Sequence, residues 1–467
     1  MSLPLGKPAS AMLNGMSRDA LRQAMFGVAF AILIAPNSVL VLGFGMTGSP
    51  GNSPVTGAVL MLATMAVGLL CLRRDIALLP ADYLFLAFVV CIASSSVING
   101  WTTDAKEYQL LLLSLAAYPA CRLISRADML AGRSSFILVI GIIALLGTIA
   151  MTNALLRQWD SVDWRPLVFG FNAAGTYFLG TLSIFVIALV TTGELTTRRT
   201  FLISALIFLP MIVFTASLVR FTFIALAGAL CMAAILSEAK QRKHVVAIAL
   251  VILVAVAAGM FSRSDKAKQS LVFAMERPTV VELPSGNNGL AGKAGSSGSL
   301  KSSGSLEPSR SLESSDSVEP RMAPSCYLKV SPLNSILIRK VLIQDAVFLI
   351  PGSGWFGTGL DTFMESSCIK RTQAHNSILQ AAVEFGWLGG ALLFLVVAVA
   401  AGSLLPLARY DNASRFVLCS LAYVVLISLA HGRLSRDGVL FAFLGAAVGL
   451  RETFRAQPAS AVSPALA

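Results

Sequence analysis

Apolar stretches of spanning length, separated by short polar segments, dominate the chain. A helix needs about 20 predominantly apolar residues to cross the hydrocarbon core of a bilayer, and runs near that length recur throughout. The pattern predicts twelve transmembrane helices, nine before one long hydrophilic segment and three after it. Their predicted bounds are 22–45, 55–72, 77–98, 107–124, 134–156, 173–191, 199–214, 218–237, 243–261, 385–406, 414–430 and 437–451.

This pattern predicts an all-α polytopic membrane protein with one long loop before the tenth helix. Segment 284–320 of that loop consists largely of Ser, Gly and Pro, a composition typical of a disordered linker. The stretch 326–374 contains aromatic residues and the apolar run VLIQDAVFLIPGSGWFG, which predicts a folded portion with a helix on the membrane surface. The predicted divisions are nine helices in 1–261, the loop in 262–384, three helices in 385–452 and a tail in 453–467.

Composition agrees with a membrane protein. The chain has 467 residues, 56% of them hydrophobic and only 13% charged, whereas soluble domains carry about 25% charged residues. The formal net charge of +12 comes from positive residues grouped between apolar runs, where they fix orientation in the membrane, and this distribution argues against nucleic-acid binding. The first apolar run is too long for a signal peptide, and no small-residue cleavage site follows it.

Lys and Arg are concentrated in alternate loops, whereas loop 46–54 has no charge. Because cytoplasmic loops carry the positive excess, we expect both termini in the cytoplasm. The long loop, 262–384, is then expected on the outer side of the membrane. The loop that contains Arg433 and Arg436 is the exception to the rule.

Seven cysteines are distributed unevenly. Two of them, Cys326 and Cys368, flank the ordered part of the long loop and could form a disulfide if that loop lies in an oxidising compartment. The other five are expected to behave as small buried hydrophobic residues. They are Cys71, Cys91, Cys121, Cys231 and Cys419.

The familiar signatures of soluble enzymes, namely the P-loop, GxSxG, CxxC and HExxH, do not occur. Cationic and titratable groups instead gather on the predicted outer face. Arg220 lies within the apolar stretch TASLVRFTF, where an arginine is costly, so either it has a partner or a water-filled cavity, or it snorkels to the interface. Of the other two histidines, His244 belongs with the cytoplasmic positive residues, and His431 is assigned no role.

Three arginines on that face, Arg165, Arg220 and Arg339, together suggest an anionic ligand, although each of them could also sit near lipid headgroups for other reasons. The planar guanidinium suits phosphate oxygens, and a diphosphate needs several such donors. His375 opens the tenth helix and, with an ordinary pKa near neutrality, is the best-placed general base on this face. An interfacial histidine without chemistry is the competing interpretation.

The stretch HNSILQAAVEFGWLGG resembles the HN-x-x-L…E-x-G-x-x-G signature of the O-antigen ligase and polymerase superfamily of bacterial surface-polysaccharide enzymes. The glycine-rich IPGSGWFGTGLDTF and the segment RPLVFGFNAAG also resemble stretches of that family. Two features depart from it: Ser217 and Arg220 are not adjacent, and the serine-rich repeat is not a family feature. The matching residues are Arg165, Gly170, Asn172, Arg339, His375, Asn376, Leu379, Glu384, Gly386 and Gly389.

The resemblance implies a GT-C-like, inverting and metal-independent membrane glycosyltransferase without a cofactor. Its donor would be a glycan on undecaprenyl diphosphate, held by Arg165, Arg220 and Arg339. The resemblance also implies a bacterial inner membrane, with the long loop and the active face on the periplasmic side. His375 would accept the proton of the acceptor hydroxyl. Asn172, Asn376 and Glu384 would have supporting roles.

Three functions remain open from the sequence. A ligase would join a finished glycan to a lipid A–core acceptor, and a polymerase would extend a growing polysaccharide by repeat units. A transporter of lipid-linked glycan would use the intramembrane arginine without chemistry. The long loop before the histidine motif favours the ligase. The grouping of titratable residues on one face, without an internal repeat, disfavours the transporter.

Overall fold

The structure, a computed structural model, confirms an all-α polytopic membrane protein. Within the described part of the chain, seven helices are long and apolar enough to cross a membrane, or eight if the first, bent pair forms one span. Apart from single residues 268 and 272, the described ranges are 17–45, 54–72, 76–100, 105–160, 166–171, 173–219, 221–266, 279–280, 328–329, 335–370 and 372–456.

Each predicted apolar run coincides with a described helix or, for the first run, with a pair of helices, and most bounds agree within a few residues. Two short strands, β1 and β2, pair antiparallel. In chain order the elements are α1 (Arg18–Ile34), α2 (Pro36–Phe44), α3 (Pro54–Leu70), α4 (Pro80–Asn99), α5 (Ala105–Arg122), α6 (Arg126–Ala131), α7 (Arg133–Arg157), α8 (Ala174–Thr191), α9 (Thr197–Ala216), α10 (Phe221–Leu236), α11 (Ala239–Ser262), β1 (Thr279–Val280), β2 (Leu328–Lys329), α12 (Ser335–Ser353), α13 (Phe363–Ser366), α14 (Ser377–Glu384), α15 (Gly386–Ala408), α16 (Asn412–His431), a 3₁₀ turn (Leu434–Arg436) and α17 (Gly438–Ala456).

The bundle is apolar on its outside as well as in its core. Leu62, Phe201 and Phe394 are each more than half exposed, which is the expected arrangement where the surroundings are lipid rather than water. Inside, aromatic rings connect helices that are distant in sequence: the Phe30 ring of α1 lies 5.3 Å from the Phe136 ring of α7. Tight van der Waals packing of this kind holds membrane helices together, because lipid provides no hydrophobic drive between them.

The first predicted helix is in fact two. α1 and α2 meet at Ala35 with a bend of 83°, so the prediction of one continuous helix over 22–45 is wrong. Pro36 occupies the first position of α2. Its ring has no N–H to donate back to α1 and is favoured where a helix begins, so the chain starts a new helix in a new direction there.

The histidine motif does not run unbroken into the tenth span, which corrects the expectation that His375 opens that helix. α14 ends at Glu384, and α15 begins at Gly386, whose φ is +78°. A left-handed residue ends the helical hydrogen-bond pattern, and glycine adopts it at little cost. His375 therefore precedes a separate helix of eight residues.

The glycine-rich segment of the motif packs backbone against backbone on this break. The N–H of Gly359 donates to the carbonyl of Glu384 at 2.9 Å, and that of Trp387 donates to Gly354 at 3.2 Å. A Cβ added at Gly357, whose φ is +76°, would lie 2.3 Å from the Glu384 carbonyl. The paired glycines therefore allow an approach that no side chain would permit.

Substitution of Gly357 by alanine should lower the free energy of unfolding by about 1–3 kcal/mol, because it adds strain at a positive φ to a clash. Gly352→Ala is the matched control, since nothing lies within 4 Å of its added Cβ and alanine favours a helix. Thermal unfolding of both purified variants in detergent measures the difference. Equal melting temperatures would show that the segment accommodates the alanine without a loss of stability.

The ordered part of the long loop is a helix, as predicted. α12 packs on α14 through a small cluster that includes Leu342, Ala346 and Val383. Cys368 is disulfide-bonded, but Cys326 lies outside the described residues, so the pairing of these two stays a prediction. The serine-rich segment 284–320 also lies outside them.

Five cysteines are free thiols, and four of these are buried, as predicted. Cys231 is exposed on the surface of α10, so the expectation that all five are buried is wrong for it. A small thiol is tolerated on a lipid-facing surface because the surroundings are as apolar as the protein core.

A buried ionic network connects three helices at the bundle end where α5 finishes. The guanidinium of Arg122 donates to Asp82 at 2.9 Å, to Glu452 at 2.7 Å and to the carbonyl of Ala77 at 2.8 Å. The three side chains of the ion pairs are each less than a tenth exposed. Because buried charges need partners, this network ties α4, α5 and α17 together.

Candidate active site

His375 takes an unusual backbone conformation directly before α14. Its φ is +53°, a left-handed value that is costly for a residue with a side chain and is common at functional sites. Asn376 caps α14 by accepting hydrogen bonds from the N–H groups of Ile378 and Leu379, at 3.1 and 3.0 Å. The adjacent His and Asn of the motif therefore differ in role. Asn376 caps the first turn of α14, and His375 lies before the helix in a left-handed backbone conformation.

His375 lines a cavity of about 460 Å³ at one end of the bundle, called here the cavity end. Polar side chains line one part of it, and apolar side chains such as Ile34, Leu60 and Val424 line the rest. A cavity with both kinds of surface suits an amphipathic ligand. The titratable residues among its lining are His375, His431, Arg433, Arg436, Asp437, Tyr177 and Tyr423.

Arg339 lies beside the cavity rather than in its wall. Its guanidinium contacts the Nε2 atom of His431 at 2.9 Å and lies 4.5 Å from the centre of the Phe221 ring. The Phe221 and His431 rings meet edge to face, with centroids 5.4 Å apart. The sequence assigned no role to His431, whereas the structure makes it a contact of Arg339 and part of the cavity wall.

Two further arginines face the cavity from the segment after α16. Arg433 pairs with Glu107 at 2.9 Å and with Asp361 at 3.4 Å. Arg436 pairs with the other oxygen of Glu107, also at 2.9 Å. Sequence reasoning gave neither arginine a role. The one available signal was their presence in a loop that breaks the positive-inside pattern.

Amide side chains connect α14 to Asp361, the carboxylate that pairs with Arg433. Gln380 donates to Gln373 at 2.9 Å and to Glu384 at 3.0 Å, and Gln373 donates to Asp361 at 2.5 Å. Glu384 is fully buried, and it is Asp361 that contacts Arg433. Burial raises the pKa of Glu384 to about 8, so this carboxyl is mainly protonated at neutral pH and is a structural rather than a charged element.

The environment of the cavity favours the neutral form of the His375 imidazole. Burial, followed by the charges of Arg339 and Arg433, lowers the pKa of His375 to about 4. Burial raises the pKa of Asp437, which accepts a hydrogen bond from Ser377, to about 6. The site therefore contains an unprotonated histidine and a carboxyl that titrates close to physiological pH.

A titration followed by NMR of ¹⁵N-labelled histidine tests this charge state, because the chain has only three histidines. His375 should stay neutral from pH 8 down to about pH 5, since both burial and neighbouring cations oppose protonation. His244, which contacts Thr200 at 3.0 Å, and His431 are assigned with the variants His244→Gln and His431→Gln. Protonation of His375 near pH 6.5 would show that the site is open to water.

The remaining predicted residues fall outside the described part of the chain. These are Arg165, Asn172 and Arg220, so the convergence of all three predicted arginines stays a prediction. Arg339 and His375 are close enough to interact electrostatically. Among the described residues, no group of three or more His, Cys, Asp and Glu side chains could hold a metal ion, and arginines are the permanent cations on the cavity wall.

The fold and the cavity together define a multi-pass membrane protein with a cation-lined, amphipathic site at one end of the bundle. Residues 203–395 match the family model described as O-antigen ligase, so this part of the chain carries an O-antigen ligase domain. The match includes the histidine motif, the glycine-rich segment and Arg339, and it confirms the family that these residues indicated. No curated protein matches the chain.

Proposed function

We propose that this protein is an inverting glycosyltransferase that moves a glycan from undecaprenyl diphosphate to an acceptor hydroxyl during assembly of a cell-surface polysaccharide. The observation that carries the proposal is a cavity that holds a neutral histidine beside arginines and is otherwise largely apolar. Members of the O-antigen ligase family are enzymes of this type. We place the cavity end on the periplasmic side of the bacterial inner membrane, where the charge bias of the loops directs it.

The transfer step needs a base and a stabilised leaving group. The acceptor oxygen forms a bond to the anomeric carbon while the bond from that carbon to the diphosphate oxygen breaks on the opposite face. The hydroxyl proton passes to the neutral imidazole of His375, and the electron pair of the broken bond leaves with undecaprenyl diphosphate. Arginines stabilise the developing negative charge; we assign this to Arg433 and Arg339, with Arg165 and Arg220 retained from the motif.

The same arginines connect donor binding to the strength of the base. Burial lowers the pKa of His375 most, and Arg339 and Arg433 lower it further. A bound diphosphate would offset their charge, so the pKa of His375 would rise toward the range in which imidazole accepts a proton effectively. His375 would then become a competent base only when the donor is present, which limits unproductive reaction with water.

Lipid A–core is the proposed acceptor, which makes the protein ligase-like. The support is the helix α12, which comes from the long loop and packs directly on the motif helix; a folded element at this position could receive a large acceptor. A polymerase of the same superfamily would share donor and chemistry and would use a growing polysaccharide instead.

Reconstitution with a synthetic undecaprenyl diphosphate glycan tests the proposal. With purified lipid A–core present, the full-length protein in proteoliposomes should release undecaprenyl diphosphate and form a lipid A-capped product. Longer lipid-linked glycans without an acceptor would identify a polymerase instead. Movement of the donor across the bilayer without any release of undecaprenyl diphosphate would identify a transporter and would overturn the enzymatic proposal.

A further inference from the structure

The bend at Ala35 directs the start of α2 into the cavity. Ala35, Pro36, Asn37 and Ser38 all line it. Ala35 provides no side-chain cap, and no acidic residue occupies the first turn. The first N–H groups of a helix carry a partial positive charge and lack helical partners, so a helix of nine residues presents an uncapped positive end to the cavity.

Two N–H groups at this end have no acceptor among the described residues. The N–H of Ala35 donates to Ala31, and that of Val39 donates to Ala35. Between them Pro36 has no N–H, and across the described chain no acceptor is found for the N–H groups of Asn37 and Ser38. The hydroxyl of Ser38 pairs with Thr181 at 2.7 Å, which holds the residue in place but leaves its N–H directed elsewhere.

Two buried hydroxyls that line the same cavity provide an independent observation. Thr56 of α3 is 3% exposed and Thr222 of α10 is fully buried; both line the cavity, and neither hydroxyl has a hydrogen-bond partner in the described structure. Elsewhere, buried threonines such as Thr215 donate to a carbonyl four residues earlier. Buried polar groups normally have partners, so these two hydroxyls are available to a ligand.

We propose that the start of α2, with the hydroxyls of Thr56 and Thr222, forms a phosphate-binding subsite on the cavity wall, separate from Arg433 and Arg436. The inference rests on the proposed function and adds the place where a phosphate of the lipid-linked donor is held. The N–H groups of Asn37 and Ser38 can donate to phosphate oxygens, and so can the two threonine hydroxyls. A helix start also favours an anion.

Charge balance explains why a second phosphate contact is needed. Arg433 and Arg436 are already paired with Glu107 and Asp361, so their positive charge is partly offset. The start of α2 has no acidic residue in its first turn. A diphosphate that spans the cavity could therefore contact arginines with one phosphate and the N–H groups of α2 with the other.

The test measures binding of undecaprenyl diphosphate, undecaprenyl monophosphate and phosphatidylglycerol to the full-length protein in nanodiscs, by native mass spectrometry. The double variant Thr56→Val and Thr222→Val should weaken diphosphate binding about 10-fold or more, since it removes two hydrogen bonds to a charged group. Thr64→Val is the matched control: Thr64 is also on α3, buried and without a hydroxyl partner in the described structure, but it does not line the cavity.

Asn37→Asp distinguishes an anionic ligand from a neutral sugar. The new carboxylate should stabilise the helix start, so the melting temperature should not fall, yet it should repel a phosphate and weaken binding at least as much as the double valine variant. The subsite is overturned if wild type binds undecaprenyl diphosphate and both variants bind it like Thr64→Val; the proposed function then stands.

Two other results separate the sources of phosphate. If the variants weaken binding of phosphatidylglycerol but not of undecaprenyl diphosphate, the site holds a phospholipid headgroup, and its assignment to the donor is wrong. If wild type binds none of the three lipids, the proposed donor and the subsite fail together.

Discussion

Substitution of His375 by asparagine is expected to lower glycan transfer by about 10²–10⁴-fold, the usual contribution of a general base. Asparagine tolerates the positive φ at this position, so the fold should persist while the proton acceptor is lost. In cells that depend on the variant, lipid-linked glycan should accumulate and the surface product should disappear. Polysaccharide ladders and extracted lipid intermediates measure both, with the protein level checked by immunoblot.

His244→Asn is the control for a histidine substitution as such. His244 lies near the start of α11 and contacts Thr200 of α9, and it does not line the cavity, so transfer should be unchanged. Normal product from the His375→Asn strain would remove His375 from the mechanism and leave the motif as a helix start. A missing product with little folded protein would instead point to a structural role.

Loss of Arg122 is expected to have the largest effect on stability. Arg122→Met keeps most of the side-chain volume but leaves Asp82 and Glu452 buried without their cation. Removing one partner of a buried ion pair costs about 3–5 kcal/mol, so the melting temperature in detergent should fall sharply and the amount in the membrane should drop. The effect should be independent of donor or acceptor, because the network lies away from the cavity.

Arg126→Ala is the matched control from the same region of the chain. Arg126 pairs with Asp411 at 2.8 Å, but its side chain is 40% exposed, and exposed pairs contribute only about 0–1 kcal/mol. Equal effects of the two substitutions would mean that the Arg122 network is hydrated. Partial rescue of Arg122→Met by the added substitutions Asp82→Asn and Glu452→Gln would identify the uncompensated charge as the cause.

The candidate site could be predicted only in part, and the physical reason is visible in particular residues. His375 and Asn376 were found because a local motif carries them. Arg433 and Glu107 were not, since they pair across 326 positions of the sequence through a contact at 2.9 Å. No local pattern encodes such a pair, and an arginine in a short loop usually reports orientation rather than a ligand.

The predicted helices differ from the observed ones at two places, and at each place the sequence contains a local cause. Pro36 divides the first apolar run, and Gly386 divides the motif helix from its span. Apolar length is insensitive to both, because a bent pair of helices has the same hydropathy as a straight one. Backbone chemistry, rather than hydropathy, therefore decided where the helices break.

By itself, the sequence determined that this is an all-α membrane protein with an O-antigen ligase domain, because apolar length dictates spanning helices and a short motif identifies the domain. Tertiary structure alone decided which polar groups share a cavity. His375, Arg433, Thr56 and the start of α2 meet there because helices that are distant in sequence present their ends at the same side of the bundle. Because lipid cannot hydrate polar groups, these groups need partners inside the protein, and the shared cavity is where a ligand can provide them.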